Sequence, residues 1–327
     1  MDCEGESQSD SQIEAHINDL KEQLAKAEAQ LTQARSRAST VPVGKSQPVI
    51  KHAPIRVPQY LTDSQRPGPA HISPGNHFLL LLSDSALPLG SFAFSSGLES
   101  YLAHTTPRAA QGSSSPSSFT ASFLPLSVAS YASTTLPFVL AAHRQPSRLP
   151  ALDDALDAAI VCTVGRRAST AQGRALLSIW ERSLGPHAAA AAASSSVLRD
   201  FAALLRGPPG GTTTADVDDD DLPPPVSAHL PPLFGVVAGL LGLELYQTAY
   251  VFLLSHVKAL VSAAVRAGIL GPYQAQKILA SGQVQDLVAT SVQREWGTEI
   301  EEAGQSVPVM DLWVGRHEML YSRIFNS

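Results

Sequence analysis

The sequence predicts an all-α protein: one helical-bundle domain preceded by a coiled-coil helix and disordered linkers. Three observations carry that expectation. The 327-residue chain is 44% hydrophobic but only 6% aromatic, so Leu, Ala and Val must do the packing, and Ala and Leu favour helices. No segment alternates apolar and polar residues over the length of a strand. Apolar residues recur instead at helical spacing in successive runs punctuated by Pro and Gly.

Residues 1–11 are polar and acidic and are expected to be disordered. From Ile13 the apolar positions fall at Ile13, Ile17, Leu20, Leu24, Ala27, Leu31 and Ala34, the seam of a heptad repeat. Residues 12–38 therefore read as a coiled-coil helix, serving either as a solvated solitary helix or as a self-association segment. Prolines 42, 48, 54, 58, 67 and 69 make residues 39–75 a linker. Residues 76–327 are the helical domain, with insertions at about 107–118 and 207–231. The second insertion holds the acidic run Asp218 to Asp221 and the prolines 223 to 225.

Within the domain, an apolar helix over Phe78 to Leu82 stops at Ser83-Asp84-Ser85. A tight loop follows, with a breaker at Pro88 and a permissive Gly90 that is expected to take a positive φ. The next helix begins near Gly97, capped by Ser95 or Ser96, with Glu99 complementing the dipole of its first turn. Further helices are expected over 119–143, started or kinked by Pro125 and Pro137, and over 152–164, with an Asp-rich first turn. The remaining helices span 168–184, 188–205, 233–241, 245–267, 273–280 and 283–296, and a short one starts at Arg316.

Composition excludes several functions. A net charge of -6 gives no broad reason to bind nucleic acid or acidic membranes. Two cysteines, Cys3 in the polar tail and Cys162 in an expected apolar helix, support neither a disulfide framework nor a thiolate cluster. The acidic N-terminus lacks the apolar core of a secretory signal. No apolar run reaches the ~20 residues of a membrane span, the longest, 249–265, being broken by Ser255, His256 and Lys258, so a cytoplasmic protein is expected. The ten histidines never occur as His-x-x-His, His-x₃-His or His-Glu-x-x-His, so no cofactor and no preformed metal site are predicted. His256, in an apolar helix, reads as a hydrogen-bonded core or interface histidine. Val43-Gly44-Lys45-Ser46 lacks the first Gly of a P-loop, and Gly90-Ser91-Phe92 is no nucleophile elbow, so no catalytic residue is assigned.

What remains are surface features. Arg166, Arg167 and Arg174, with Gln172 among them, are either a solvated helix face or an Arg/Gln interface patch. Arg316, His317, Tyr321, Arg323 and Phe325 combine residue types favoured at binding hot spots.

Three blocks, in order along the chain, carry a family resemblance. Phe78 to His104 contains an apolar helix, the Pro88-Leu89-Gly90-Ser91-Phe92 loop and a Gly97-Leu98-Glu99 helix start. Arg167 to Leu176 reads RASTAQGRAL, and Gly315 to Phe325 reads GRHEMLYSRIF. Together these resemble the urease accessory protein family UreF over about residues 76–327. The resemblance implies a helical, non-enzymatic protein, usually a homodimer, that binds UreD (also called UreH) and the GTPase UreG. That assembly delivers nickel to apo-urease and modulates the GTPase. It further implies a structural loop at Pro88, Gly90 and Gly97. Partner contacts are implied at Phe92, Arg167, Gln172 and Arg174, and in a tail containing Arg316, His317, Tyr321, Ser322 and Arg323. Two other classes stay open: a scaffold assembled through the coiled coil and unrelated to urease, or a helical hydrolase with a dispersed site.

Overall fold

A computed structural model describes residues 73–105, 116–188, 192–207 and 225–326, together with 21–23, 25–26 and 29. The chain divides into two compact units, Met1–Pro69 and Ala70–Ser327. Of the first, the described residues are helical, and Glu22 pairs with Lys26 one turn on at 2.8 Å. The coiled-coil seam, the residue 1–11 tail and the linker lie mostly or wholly outside the described residues.

The second unit is helical throughout, with no strand among the described residues. Helix α1, Pro74–Ser83, starts earlier than expected because Ser73 accepts a hydrogen bond from the Asn76 N–H and Pro74 suits a first turn. After the loop and a 3₁₀ turn at Ser91–Ala93 comes α2, Leu98–Thr105. Ser95, not Ser96, supplies its cap, receiving the Glu99 N–H.

The helix α3, Pro116–Arg144, is the axle of the domain. It begins within the expected insertion, and Phe119–Phe123 widen into a π-turn just before Pro125. That extra residue per turn accommodates the proline, which otherwise removes a bond and clashes with the turn behind it. Helices α4 (Leu149–Ala159), α7 (Leu230–Leu240), α8 (Leu245–Arg266), α10 (Gly282–Glu295) and α11 (Pro308–Arg316) all pack on α3. The approach of α7 is so close that a side chain on Gly235 would run into the Val139 carbonyl. Helices α3 and α8 are long and apolar enough to span a bilayer, contrary to the expectation from residue runs, but their apolar faces pack against one another and against α7 in the core.

Several boundaries differ from the sequence reading for physical reasons. The expected helix 152–164 is α4 alone: it ends at Ala159, where Ile160 turns extended, and α5, Thr163–Ile179, starts with Cys162 as its N-cap. Cys162 is therefore at a helix start, half-buried, and not inside an apolar helix. Arg166 explains the break, because its guanidinium donates to the carbonyls of Asp157 and Ile160 at 2.8 and 3.1 Å and closes the end of α4. Helix α6 is Ala192–Arg206 and α9 is Pro272–Leu279. Nor does the second insertion run to residue 231. Val226, Ala228 and His229 are buried, and Pro231 and Pro232 open α7.

The chain end differs most. Arg316 is the last residue of a helix, α11, and only a single 3₁₀ turn, His317–Met319, follows it, so no α-helix starts there. His317, Tyr321 and Ile324 therefore share no helical face: His317 is fully buried while Tyr321 and Ile324 stand in solvent.

Candidate partner-binding site

The three blocks, far apart in sequence, converge on one face of the domain. The tail after α11 runs back across the α2 start and the loop before it. Glu99 on α2 is the fixed point: one carboxylate oxygen accepts the Ile324 N–H at 2.7 Å and the other the Phe325 N–H at 3.2 Å. Asn326 donates its N–H to the Ala93 carbonyl at 2.8 Å. The buried His317 ring lies within 3.0 Å (Nε2) of the Phe325 carbonyl, and its Nδ1 faces Glu99 at 3.7 Å. The Phe325 side chain is buried, with the Arg266 guanidinium 4.4 Å above its ring.

Glu318 ties the tail to α5. It receives the guanidinium of Arg167 on one oxygen and that of Arg323, at 2.8 Å, on the other. Those two hydrogen bonds hold the Glu318 carboxyl below its ordinary range. Arg167 also reaches the Asn326 carbonyl at 3.3 Å. Gln172, one turn further along α5, accepts the Ser91 hydroxyl at 2.8 Å and so joins the loop to α5. Gly90 has φ 72°, the positive φ expected of it; Gly97 also has a positive φ, 84°, which the sequence reading did not anticipate, and its turn abuts the α11 backbone at Trp313 and Val314.

Of the residues implied by the resemblance, Phe92, Arg167, Gln172, His317, Tyr321, Ser322 and Arg323 gather on or beside this face. Arg316 ends α11, exposed. Arg174 does not join them, since it points to the Ser227 carbonyl near the start of α7. The displayed surface is apolar and aromatic: Phe92 is 65% exposed, Met319 81%, Tyr321 106% and Ile324 63%. Such side chains on a backbone fixed by hydrogen bonds are what a protein interface uses, because little side-chain and backbone freedom remains to be lost on binding.

Sequence reasoning missed Glu99 as a tail contact, reading it only as a dipole complement; its signal was a carboxylate two residues after a positive-φ glycine. It also missed Asp153. The acidic start of α4 does not serve a dipole, because α4 begins at Leu149 and Asp153 is completely buried. Its carboxylate accepts the N–H groups of Ser227, Ala228 and His229 at 2.6, 3.0 and 2.6 Å. His229 in turn bridges Ser169 (3.0 Å at Nδ1) and Asp157 (2.9 Å at Nε2). The order Ser–His–Asp is that of a nucleophilic triad, but Ser169 lies well inside α5, where backbone N–H groups are committed to the helix and no pair is free to hold an oxyanion. This network fastens α4, α5 and α7 together. Below the loop, a cavity of about 200 Å³ is lined by Ser91, Phe94, Ser127, Ser169, Gln172 and His256 among others. His256, at the wall of this cavity, bonds to Ser127 at 3.1 Å and stacks on Tyr131, hydrogen-bonded as expected of a core or interface histidine. Among the described residues no cluster of three potential metal ligands occurs.

The UreF family profile matches residues 120–283. A UreF-like urease accessory protein of Schizosaccharomyces pombe is 36% identical over 251 residues, spanning 77% of this chain and 97% of the relative. The chain belongs to the UreF family. Urease accessory protein 6 of Cryptococcus neoformans var. grubii is 27% identical over 308 residues, covering 77% of this chain and 96% of its own length. Urease accessory protein F of Arabidopsis thaliana is 31% identical over 250 residues, covering 75% and 90%. The family segment from 120 to 283 runs from within α3 through α9, while the tail and the Glu99 helix lie outside it.

Proposed function

We propose that this chain is a non-catalytic urease accessory protein acting in the cytoplasm as a homodimer. In this reading it joins UreD/UreH to the GTPase UreG in the complex that delivers nickel to apo-urease, and it modulates that GTPase. The tail face is the contact with the UreD-like partner. One observation carries the interface: Phe92, Met319, Tyr321 and Ile324 are exposed together around a backbone pinned by Glu99, Ala93 and His317. The relatives' names supply the urease context. Nickel is cargo of the assembly and is assigned no resident ligand here.

Deleting residues 316–327 is a poor test, because buried His317 and Phe325 belong to the core and their loss would loosen α2 and α11. Tyr321→Ala combined with Ile324→Ala removes only solvent-facing groups and leaves the fold intact. The double variant is expected to keep its melting temperature, to lose pull-down of the UreD-like partner by at least ~10-fold, and to fail to restore urease activity in a deletion strain. Wild-type capture by this variant refutes the assignment.

A further inference from the structure

We propose that the cavity beneath the loop is a binding site for a small uncharged aromatic carbonyl compound, an aryl carboxamide being the class that satisfies its walls. The site stands apart from the tail face and does not depend on the partner reading. Helix α3, the apolar axle of the domain, carries a row of hydroxyls. Ser127, Ser130, Tyr131 and Thr134 fall at i, i+3, i+4 and i+7, and all four line this cavity of about 200 Å³. Thr134, and Ser255 on α8, each donate to a carbonyl one turn back, that of Ser130 and that of Val251, at 2.8 Å. The Ser130 and Tyr131 hydroxyls do not: neither has a hydrogen-bond partner among the described residues, although Ser130 is only 7% exposed. Tyr131 cannot swing its O–H elsewhere, because its ring stacks on His256 and Phe252 with centroids 4.0 and 5.2 Å apart. Burial pushes the phenol up, so it stays protonated and remains a donor. A buried donor without a partner is costly, and Ala and Phe would fill the same space without that cost. The pair is therefore set for an acceptor brought from outside the chain.

The rest of the wall decides what carries that acceptor. Thr134, Ser255 and Ser91 have given their hydrogens to Ser130, Val251 and Gln172, so they keep only lone pairs, which suit an N–H donor. No lysine or arginine is among the described lining residues, and the Asp311 carboxylate already receives the Gln305 amide at 2.9 Å. Burial holds the His256 imidazole down at about 3, so it is neutral near pH 7. An anion would find no counter-charge here, and a cation only a carboxylate that is already bonded. Phe94, Leu230, Phe234 and Phe252 complete the lining and suit a ring. An apolar cavity of about 150 Å³ holds a benzene, so this one admits a ring bearing a carboxamide. Val161 borders the cavity on the link between α4 and α5 and is 87% exposed, which brings the rim to solvent. In the bound state the ligand carbonyl accepts from Ser130 and Tyr131, its N–H₂ donates to hydroxyl oxygens, and its ring lies among the phenylalanines.

Benzamide is the probe, titrated into the full chain and followed by amide chemical shifts and by melting temperature, with benzoate and toluene for comparison. Saturable shifts centred on residues 127–135 and 252–256 are expected, together with a melting temperature that rises with benzamide concentration. Benzoate and toluene are each expected to bind at least ~10-fold more weakly, the first for want of a counter-charge and the second for want of hydrogen bonds. Ser130→Ala combined with Tyr131→Phe keeps the ring stack and the volume. That double variant is expected to bind benzamide at least ~10-fold more weakly without a lower melting temperature in the absence of ligand. If no saturable shift appears at the cavity, the proposal falls and ordered water is the occupant. Toluene bound as tightly as benzamide, or benzamide bound unchanged by the double variant, overturns the role of the two hydroxyls. Benzoate bound as tightly as benzamide overturns the charge argument. If the double variant does not fold, Ser130→Ala alone decides by the same affinity criterion.

Discussion

Asp153→Asn tests the anchor that holds α7 against α4 and α5. The wild-type carboxylate is fully buried and accepts three consecutive N–H groups, two on Oδ2 and one on Oδ1. Those bonds offset a strained backbone, since Ala228 has φ 67°, a left-handed conformation costing an ordinary residue on the order of 1–2 kcal/mol. Asparagine keeps the shape. Its oxygen can stay with Ser227 and Ala228 as weaker, neutral acceptor bonds, while its N–H₂ turns against the His229 N–H. Bonds to a charged group contribute roughly 1.5–3 kcal/mol each, and a buried donor left without a partner costs about 1–3 kcal/mol. The expected loss is therefore about 3–5 kcal/mol. In a domain of this size, Ala70–Ser327, that corresponds to a fall in melting temperature of roughly 6–20 °C. Urea titration followed by far-ultraviolet circular dichroism measures it, with the slope against denaturant unchanged. A shift below about 1 kcal/mol refutes the reasoning and would mean that the Ser227–His229 turn holds itself.

Gly173→Ala is expected to cost about 1–3 kcal/mol, because the new methyl would run into the Ala228 carbonyl and the His229 backbone, which Asp153 prevents from moving away; an unchanged urea midpoint counts against it. Burial pushes the His256 imidazole down to about 3 from 6.5, so the unfolded chain takes up a proton as pH falls below 6.5 while the folded chain resists until about 3. Stability is expected to fall across that window, by at most about 1.4 kcal/mol per pH unit for the single proton. Between pH 6.5 and 5, above the range where Asp157 and Glu318 titrate, His256→Gln flattens this dependence, and an unaltered slope in that variant points to a different group.

The helices were legible because their causes are local. The segments α8, α9 and α10 fall within a few residues of their sequence reading, since periodicity and a start signal are written into each: the Glu244/Gln247 capping box, Pro272 and the Ser281 cap. Helix α11 was missed: Pro308-Val309-Met310-Asp311-Leu312-Trp313 is short, and only Met310 in it is buried. The joint between α4 and α5 was misread because residues 152–164 are continuously helix-compatible. The break is made by Arg166 reaching back over Asp157 and Ile160, a contact that spacing alone does not announce. In the same way the buried lead-in to α7 looked like part of a Pro-rich insertion, because what orders it is Asp153, more than seventy residues away.

By itself the sequence determined the helical class, the positive-φ loop at Gly90 and, through three short blocks, the family. Each follows from residues within about ten positions of one another, where backbone propensity and motif wording act. The tertiary structure alone decided what those blocks do together. Periodicity placed the tail on a helix, whereas in the fold it leaves α11 as a non-helical strap. Its amides find a carboxylate on α2 and its Phe325 ring a pocket under Arg266. A segment of that length makes too few internal hydrogen bonds to fix its own conformation, so distant partners determine it. Burying Phe325 and satisfying three tail amides at Glu99 and Ala93 outweighs the weak helical preference of Arg316 to Phe325.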